Sequence, residues 1–153
     1  LNKRTTEQRC RTLLENTPGE KPFALLLLDV DNFKQTNDRY GHPKGDAVLR
    51  CLGENLSGLF RRDDVVGRVG GDEFLMMMPG AGGEQAVGRA RKIAQEMCRS
   101  VSVQCGVDVS GSIGVVLSKP GACAYEELLR RADSALYAAK AAGKGCYRVY
   151  GGA

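Results

Sequence analysis

Apolar and polar residues recur along this chain of 153 residues in two periods, one typical of helices and one typical of strands. Residues 23–28 are all apolar, and this run is too short to cross a bilayer but fits a strand covered on both faces. Apolar residues spaced three and four positions apart predict helices. The predicted helices cover residues 6–15, 32–37, 44–59, 84–99 and 125–142.

Short apolar runs bounded by turn residues predict the strands. They cover residues 23–28, 65–69, 74–78, 101–107, 109–117 and 146–150, with loops at 18–22 and 79–83. Strands that alternate with helices indicate an α/β or α+β fold. The length predicts a single domain over residues 1–153, large enough to bury a core.

Composition narrows the class of protein without deciding it. The formal charge is +4 and no long basic block is present, so nucleic-acid binding is not indicated. Six cysteines without CxxC spacing, and no signal-peptide pattern, favour buried reduced thiols and a cytoplasmic location over disulfides. The single histidine, His42, offers no obvious Cys/His zinc site.

The segment Gly70-Gly71-Asp72-Glu73-Phe74 lies between two apolar runs and predicts the turn of a β-hairpin. Its two glycines are expected to supply the positive φ angles of a tight turn. Adjacent acids at the tip and at the first strand residue repel each other unless a cation lies between them, and carboxylate oxygens suit Mg²⁺. The alternative is a solvated acidic turn.

A second acidic cluster follows the apolar run that ends at residue 28. Asp29 and Asp31 occupy the carboxyl end of this predicted strand, where ligand sites of α/β sheets lie. Asp29 is therefore a candidate metal ligand, although it could instead be a helix N-cap, or the two roles could be divided between Asp29 and Asp31. Two acidic centres on neighbouring strands would form a divalent-metal site of the kind used in phosphoryl transfer.

Several motifs in order resemble the GGDEF domain of bacterial diguanylate cyclases over almost the whole chain. They are Asp29-Val30-Asp31-Asn32-Phe33-Lys34, Asn37-Asp38, Tyr40-Gly41-His42, Gly45-Asp46, Val48-Leu49, Arg68-Val69-Gly70-Gly71-Asp72-Glu73-Phe74, Ser112-Ile113-Gly114-Val115 and the run from Ala132 to Lys140. The resemblance implies a central, mainly antiparallel sheet flanked by helices, similar to the palm of nucleotidyl cyclases. It also implies that two GTP are condensed into cyclic di-GMP with release of two pyrophosphates.

The resemblance assigns metal and catalytic roles to the two acidic clusters. Asp29, Asp72 and the Val30 carbonyl would bind Mg²⁺ or Mn²⁺, with two ions in each active site. Glu73 would bind metal or help to deprotonate the attacking hydroxyl, and the sequence does not separate these roles. Gly70 and Gly71 would let the turn approach the nucleotide closely, with turn geometry alone as the alternative.

Substrate recognition is assigned in the same way. Asn37 and Asp46 would bind guanine, because a carboxylate suits its donor edge and an amide suits its acceptors. The alternatives are a helix C-terminal residue for Asn37 and a helix N-cap for Asp46. Phosphate contacts are expected from the residues Asn32, Phe33, Lys34, Lys140 and Lys144, although the last two could simply be cations near a helix C-terminus.

Arg61 and Asp64 match the spacing of the product-binding motif of many family members, which implies feedback inhibition by cyclic di-GMP. Without the resemblance, this Arg-rich segment would be a solvated polar turn. A further cation of the inhibitory site is expected on the next helix, where the sequence leaves the choice between Arg91 and Lys92 open.

Two departures from the family pattern affect the expected activity. The family usually has Gly-Arg-Asn where this chain has Gly143-Lys144-Gly145, and Lys lacks the bidentate fork of Arg. The usual opening segment is almost wholly absent, so we expect a catalytic domain taken from a longer parent with an upstream sensory or receiver module, which could be membrane-anchored. A homodimer is expected because the product needs two GTP. The alternative function is a catalytically weak or silent domain that senses GTP or cyclic di-GMP, and a pure scaffold is a third possibility.

Overall fold

One five-stranded sheet organises the part of the chain that the computed structural model describes, residues 2–16 and 21–152. Its strands are β1 Phe23–Val30, β2 Val65–Arg68, β3 Glu73–Pro79, β4 Gly111–Ser118 and β5 Tyr147–Val149. They lie in the order β2-β3-β1-β4-β5. The pairs β2–β3, β3–β1 and β1–β4 are antiparallel and β4–β5 is parallel, which confirms the predicted mainly antiparallel sheet.

Helices flank the sheet. They are α1 Lys3–Asn16, α2 Phe33–Tyr40, α3 His42–Leu59, α4 Gly83–Lys92, α5 Cys98–Cys105 and α6 Tyr125–Ala141. A π-helical turn, Ile93–Met97, joins α4 to α5. Of the loop predicted over residues 18–22, residues 18–20 lie outside the described part of the chain. No described helix is long and apolar enough to cross a membrane.

Strand β1 is buried on both faces, as its continuous apolar run predicts. Ala24, Leu26 and Leu28 belong to one core cluster, which also contains the stripe of α3 and residues of α4 and α5. Leu25 and Leu27 belong to a second cluster, formed with α1, α6 and the other face of β3. Because side chains alternate between the two faces of a strand, β1 contributes side chains to both cores.

The strand predicted over residues 101–107 is wrong, because residues 101–105 are helical and form the second half of α5. Val101 is fully buried while Val103 is 79% exposed, so their spacing by two does not mark one face of a strand. The Ser102 hydroxyl donates to Cys98 O at 2.8 Å, and the helix ends at Gly106 with φ of 70°. Packing of Val101 in the core outweighs the β-propensity of these valines.

All six cysteines are free, in agreement with the prediction of reduced thiols. Cys10 and Cys98 are buried, as expected. The other four are half-buried, which corrects the expectation that all of the thiols are buried.

We predict that Gly114→Ala destabilises the fold, because a Cβ on β4 would lie 2.3 Å from the Ala132 carbonyl oxygen of α6. Backbone cannot yield as a side chain does, so the free energy of unfolding should fall by about 2 kcal/mol or more. Gly88→Ala on α4 is the matched control, since nothing lies within 4 Å of its Cβ position. Urea denaturation should show no loss for this control, and equal losses in both variants would contradict the packing argument.

Candidate active site

The end of β1 and the turn between β2 and β3 are held together by backbone contacts. The Val30 N–H donates to the Asp72 carbonyl at 3.1 Å, and Asp29 lies opposite Glu73 in the antiparallel register. These contacts bring together, at the carboxyl end of β1, the four residues predicted to bind metal: Asp29, Val30, Asp72 and Glu73.

Backbone and side-chain hydrogen bonds fix the shape of the signature turn. The Val69 and Gly70 N–H groups donate to the Glu73 carbonyl at 2.9 and 3.4 Å. The Arg68 guanidinium donates to the carbonyls of Gly70 and Gly71, at 2.7 Å for the shortest contact. Sequence reasoning did not assign this role to Arg68, and its position just before the turn is the only signal for it.

The two signature glycines do not act as expected. Neither Gly70 nor Gly71 lies in the left-handed region, so the prediction that they supply positive φ is wrong. The turn spans four residues between the strands, which relieves the need for that geometry. A Cβ on Gly70 would instead lie 2.7 Å from Glu73 Oε1, whereas Gly71 faces open space. Gly70 thus makes room for the Glu73 side chain.

Asp29 lies in an unusual electrostatic environment. Burial raises the pKa of its carboxyl to about 6, the Lys140 ammonium opposes this rise, and the neighbouring Asp72 carboxyl adds to it. Burial by itself would lower the pKa of Lys140, but the hydrogen bond and charge of Asp29 outweigh burial and raise it. The ion pair between Lys140 Nζ and Asp29 Oδ2 therefore offsets part of the repulsion between Asp29 and Asp72.

The Asp29–Asp72 pair fits a divalent cation. Asp29 Oδ1 is buried and has no hydrogen-bond partner among the described residues, although buried polar atoms normally have one. A hard cation between the two carboxylates would satisfy that oxygen and relieve the repulsion. The described residues contain no group of three or more His, Cys, Asp or Glu side chains that could hold a metal ion, so in this geometry the candidate side-chain ligands are limited to this pair.

Glu73 has a second acidic neighbour that sequence reasoning missed. Burial, followed by the charges of Asp133 and Asp72, raises the pKa of the Glu73 carboxyl. Asp133 is exposed on α6, within a motif quoted for the family but without an assigned role. A raised pKa brings a carboxyl closer to the range in which it can accept a proton from a substrate.

Asp31 has a structural role, unlike its neighbour. It is buried and accepts hydrogen bonds from Ser110 Oγ at 2.7 Å, Ser112 Oγ at 2.6 Å and Gly145 N at 2.9 Å. It therefore joins the end of β1 to β4 and to the loop after α6. The N-cap alternative for Asp29 is also wrong, because Asp29 lies inside β1 and the N-cap of α2 is Asn32.

Of the predicted guanine-binding residues, Asn37 lies against Gly45, the residue that precedes Asp46 on α3. A Cβ on Gly45 would lie 1.8 Å from Asn37 Oδ1, so the missing side chain lets Asn37 lie against α3. Asp46 is exposed in the second turn of α3, which begins at His42, so the N-cap alternative is wrong. Asn37 lies inside α2 rather than at its C-terminus.

Asp46 opens onto a groove of about 780 Å³ between α3 and the β2–β3 hairpin. Arg50, Glu54 and Arg68 also line this groove, and no local sequence pattern selects them. The groove is large enough for a nucleotide base with its sugar, within the usual range of ligand pockets.

The residues predicted to bind phosphate form two groups, with Lys140 near Asp29 and the others near the start of α2. Lys140 contacts Asp29 from the last turn of α6, so its position also suits a cation at a helix C-terminus. Lys144 follows in a loop with φ of 65° and donates to Asn32 Oδ1 at 2.7 Å. Phe33 begins α2 and packs against the core, and Lys34 is exposed on the same turn.

The predicted inhibitory-site residues line a separate cavity of about 310 Å³. Arg61 is exposed, and its backbone N–H donates to Asp64 Oδ2 at 2.8 Å. Asp64 therefore also stabilises this turn. Lys92 lines the same cavity, whereas Arg91 donates to the Tyr147 hydroxyl at 3.2 Å. The structure therefore favours Lys92 as the additional cation.

The family profile described as "Diguanylate cyclase, GGDEF domain" matches residues 1–146. The chain belongs to this family. Diguanylate cyclase TpbB of Pseudomonas aeruginosa (strain UCBPP-PA14) is 37% identical over 142 residues, which cover 91% of this chain and 33% of TpbB. The chain spans about a third of the length of the curated relatives it matches.

Solved structures show the same fold. The GGDEF domain of DgcB from Caulobacter crescentus in complex with c-di-GMP has a TM-score of 0.82 at 26% identity, covering 99% of this chain and 89% of that one. A structure of an interaction mode between a microbial GGDEF domain and cyclic di-GMP also has a TM-score of 0.82, at 35% identity, with coverage of 97% and 90%.

We predict that Asp31→Asn lowers the free energy of unfolding by about 1–3 kcal/mol, because an amide NH₂ cannot accept the hydrogen bonds that one carboxylate oxygen accepts. Asp38→Asn, an exposed site on α2, is the matched control and should change stability by less than about 0.5 kcal/mol. Chemical denaturation measures both. A neutral effect of Asp31→Asn would contradict the structural role.

Proposed function

We propose that this chain is a metal-dependent diguanylate cyclase domain that joins two GTP into cyclic di-GMP and releases two pyrophosphates. The observation that carries the proposal is the Asp29–Asp72 pair with its unpartnered buried oxygen, in a chain of the GGDEF family. A domain that only senses nucleotides would have no need to hold two acids together in this way, so catalysis is favoured over the silent alternative.

Asp29, Asp72 and the Val30 carbonyl would hold the metal, with two ions in each active site and with Glu73 as a further ligand or as a proton acceptor. Bound Mg²⁺ or Mn²⁺ supplies Lewis acidity toward the α-phosphate and lowers the pKa of the attacking hydroxyl. Glu73 is suited to accept the hydroxyl proton because burial and its acidic neighbours raise its pKa.

The remaining residues bind and orient GTP. Asp46 accepts hydrogen bonds from the N1–H and 2-amino groups of guanine, and Asn37 binds the same base from α2. Lys34, Lys140 and Lys144 neutralise phosphate charge, and the backbone N–H groups of Asn32 and Phe33 donate to phosphate oxygens at the start of α2. Gly70 and Gly71 leave the turn without side chains that would obstruct the nucleotide.

A homodimer follows from the reaction. Each domain has one set of guanine and phosphate residues, whereas the product contains two nucleotides. The 3′-hydroxyl held by one copy must attack the α-phosphate held by the other, in line with the leaving pyrophosphate. In a longer parent, an upstream module would control how often two domains meet.

We predict that the purified chain converts GTP to cyclic di-GMP with Mg²⁺, and that Asp72→Asn lowers turnover by more than about 100-fold. Glu15→Gln, an exposed acid near the end of α1 and outside the site, is the control and should keep wild-type turnover. Product is separated by chromatography at several protein concentrations, because the reaction needs two copies. Absence of cyclic dinucleotide at high concentration, with GTP still bound, would reject the cyclase proposal.

We also propose product inhibition through the cavity lined by Arg61 and Lys92. Arg61→Ala and Lys92→Ala should each weaken cyclic di-GMP binding by about tenfold to a hundredfold, because each removes a charge-assisted hydrogen bond to phosphate or guanine. Arg91→Ala is the matched control on the same helix, since Arg91 contacts Tyr147 instead. Calorimetric titration, with a non-hydrolysable GTP analogue in the active site, measures the affinity. Equal effects of the Lys92 and Arg91 substitutions would contradict the assignment.

A further inference from the structure

Two half-buried cysteines from different helices lie close together where α3 packs against α5. Cys51 lies in the middle of α3 and Cys105 is the last residue of α5. Neither residue belongs to the candidate active site or to the inhibitory cavity.

The contacts around the two thiols independently place them together. Cys51 Sγ donates to Gln104 Oε1 at 2.9 Å, and Gln104 directly precedes Cys105. Cys105 Sγ lies 3.9 Å from the Ala47 carbonyl, one helical turn before Cys51 on the same face of α3. Each sulfur therefore contacts a close neighbour of the other cysteine.

We propose that Cys51 and Cys105 form a modification site, a dithiol that closes to an intramolecular disulfide by exchange with a low-molecular-weight disulfide. One cysteine thiolate attacks a sulfur of the small disulfide, which forms a mixed disulfide and releases one small thiol. The second cysteine then attacks the protein sulfur of that mixed disulfide and releases the other small thiol. The protein loses two electrons and two protons, and the small disulfide gains them.

The surroundings of Cys10, Cys98 and Cys146 do not favour the same reaction. Burial raises the pKa of Cys10 to about 12 and that of Cys98 to about 11, and both thiols are enclosed in the core. Cys146 Sγ instead contacts the Ala139 carbonyl at 3.3 Å. Exchange requires access and a partner thiol within reach, and Cys51 with Cys105 combine the two.

Closure would affect the helix that presents Asp46. Cys51 lies little more than one turn after Asp46 on α3, so a disulfide to α5 would fix that part of the groove wall. Because the two cysteines are far apart in sequence, the cross-link would also restrict the unfolded chain and stabilise the fold. Burial, then the charge of Cys105, raise the pKa of the Cys51 thiol, so exchange needs mildly alkaline pH to generate thiolate.

The experiment uses glutathione disulfide as the probe. The chain is incubated with it at mildly alkaline pH, free thiols are then alkylated, and intact mass and peptide maps are recorded. We expect a loss of two hydrogens, one cross-linked peptide containing Cys51 and Cys105, and an upward shift in Tm that dithiothreitol reverses. Cys51→Ser and Cys105→Ser should each stop at the mixed disulfide, while Cys146→Ser, the matched control, should close like the wild type.

The proposal would be overturned by stable mixed disulfides on both cysteines of the wild type, by a cross-link between any other pair, or by closure in Cys51→Ser. Resistance of both thiols to glutathione disulfide in the folded protein, with alkylation only after denaturation, would also overturn it. None of these readouts depends on GTP turnover, so failure of the cyclase proposal would leave the result interpretable.

Discussion

The antiparallel pairing of β1 with β3 is the constraint on which the candidate site depends. It places Asp29 opposite Glu73. The hydrogen bond from Val30 N–H to the Asp72 carbonyl extends the pairing to the residue before β3 begins. A slip by one residue would move every apolar side chain of β1 to the wrong core, so the packing of both cores fixes the register. The position of the acidic residues is therefore a consequence of hydrophobic packing several residues away.

The same register places acidic side chains close together, where their charges repel each other. Burial raises the pKa of the Asp29 and Glu73 carboxyls, the charge of Asp72 adds to the rise at both, and the charge of Asp133 adds to it at Glu73. Lys140 is the cation that opposes this effect at Asp29. A single ammonium group leaves Asp29 Oδ1 unpartnered within the described part of the chain. Among the described residues, Asn37 Oδ1 is the other buried side-chain oxygen or nitrogen without a hydrogen-bond partner. Local violations of charge pairing and polar satisfaction are expected at functional sites.

The sequence predicted the elements whose apolar pattern is continuous or strongly periodic, and it failed where tertiary contacts decide. The run that forms β1 and the stripe of α3 are specified locally. Residues 101–107 carry valines typical of strands, but burial of Val101 and the bonds of Ser102 make them helical. The roles of Arg68, Asp133 and Lys92 depend on which element lies opposite each of them, and no local pattern contains that information.

Helix α3 connects surfaces that the sequence presents as unrelated. Its first turns carry Gly45, which accommodates Asn37, and Asp46, which faces the groove. Its middle presents Cys51 to α5, and the carbonyl of Leu59 at its end accepts from Arg89, which lines the inhibitory cavity. The buried stripe of α3 anchors the helix that carries all of these positions to the core. A packed helix moves as a unit rather than residue by residue, so a restraint at its middle acts on both ends. Cys51 lies at the middle of α3, where one covalent bond to Cys105 would restrain the whole helix.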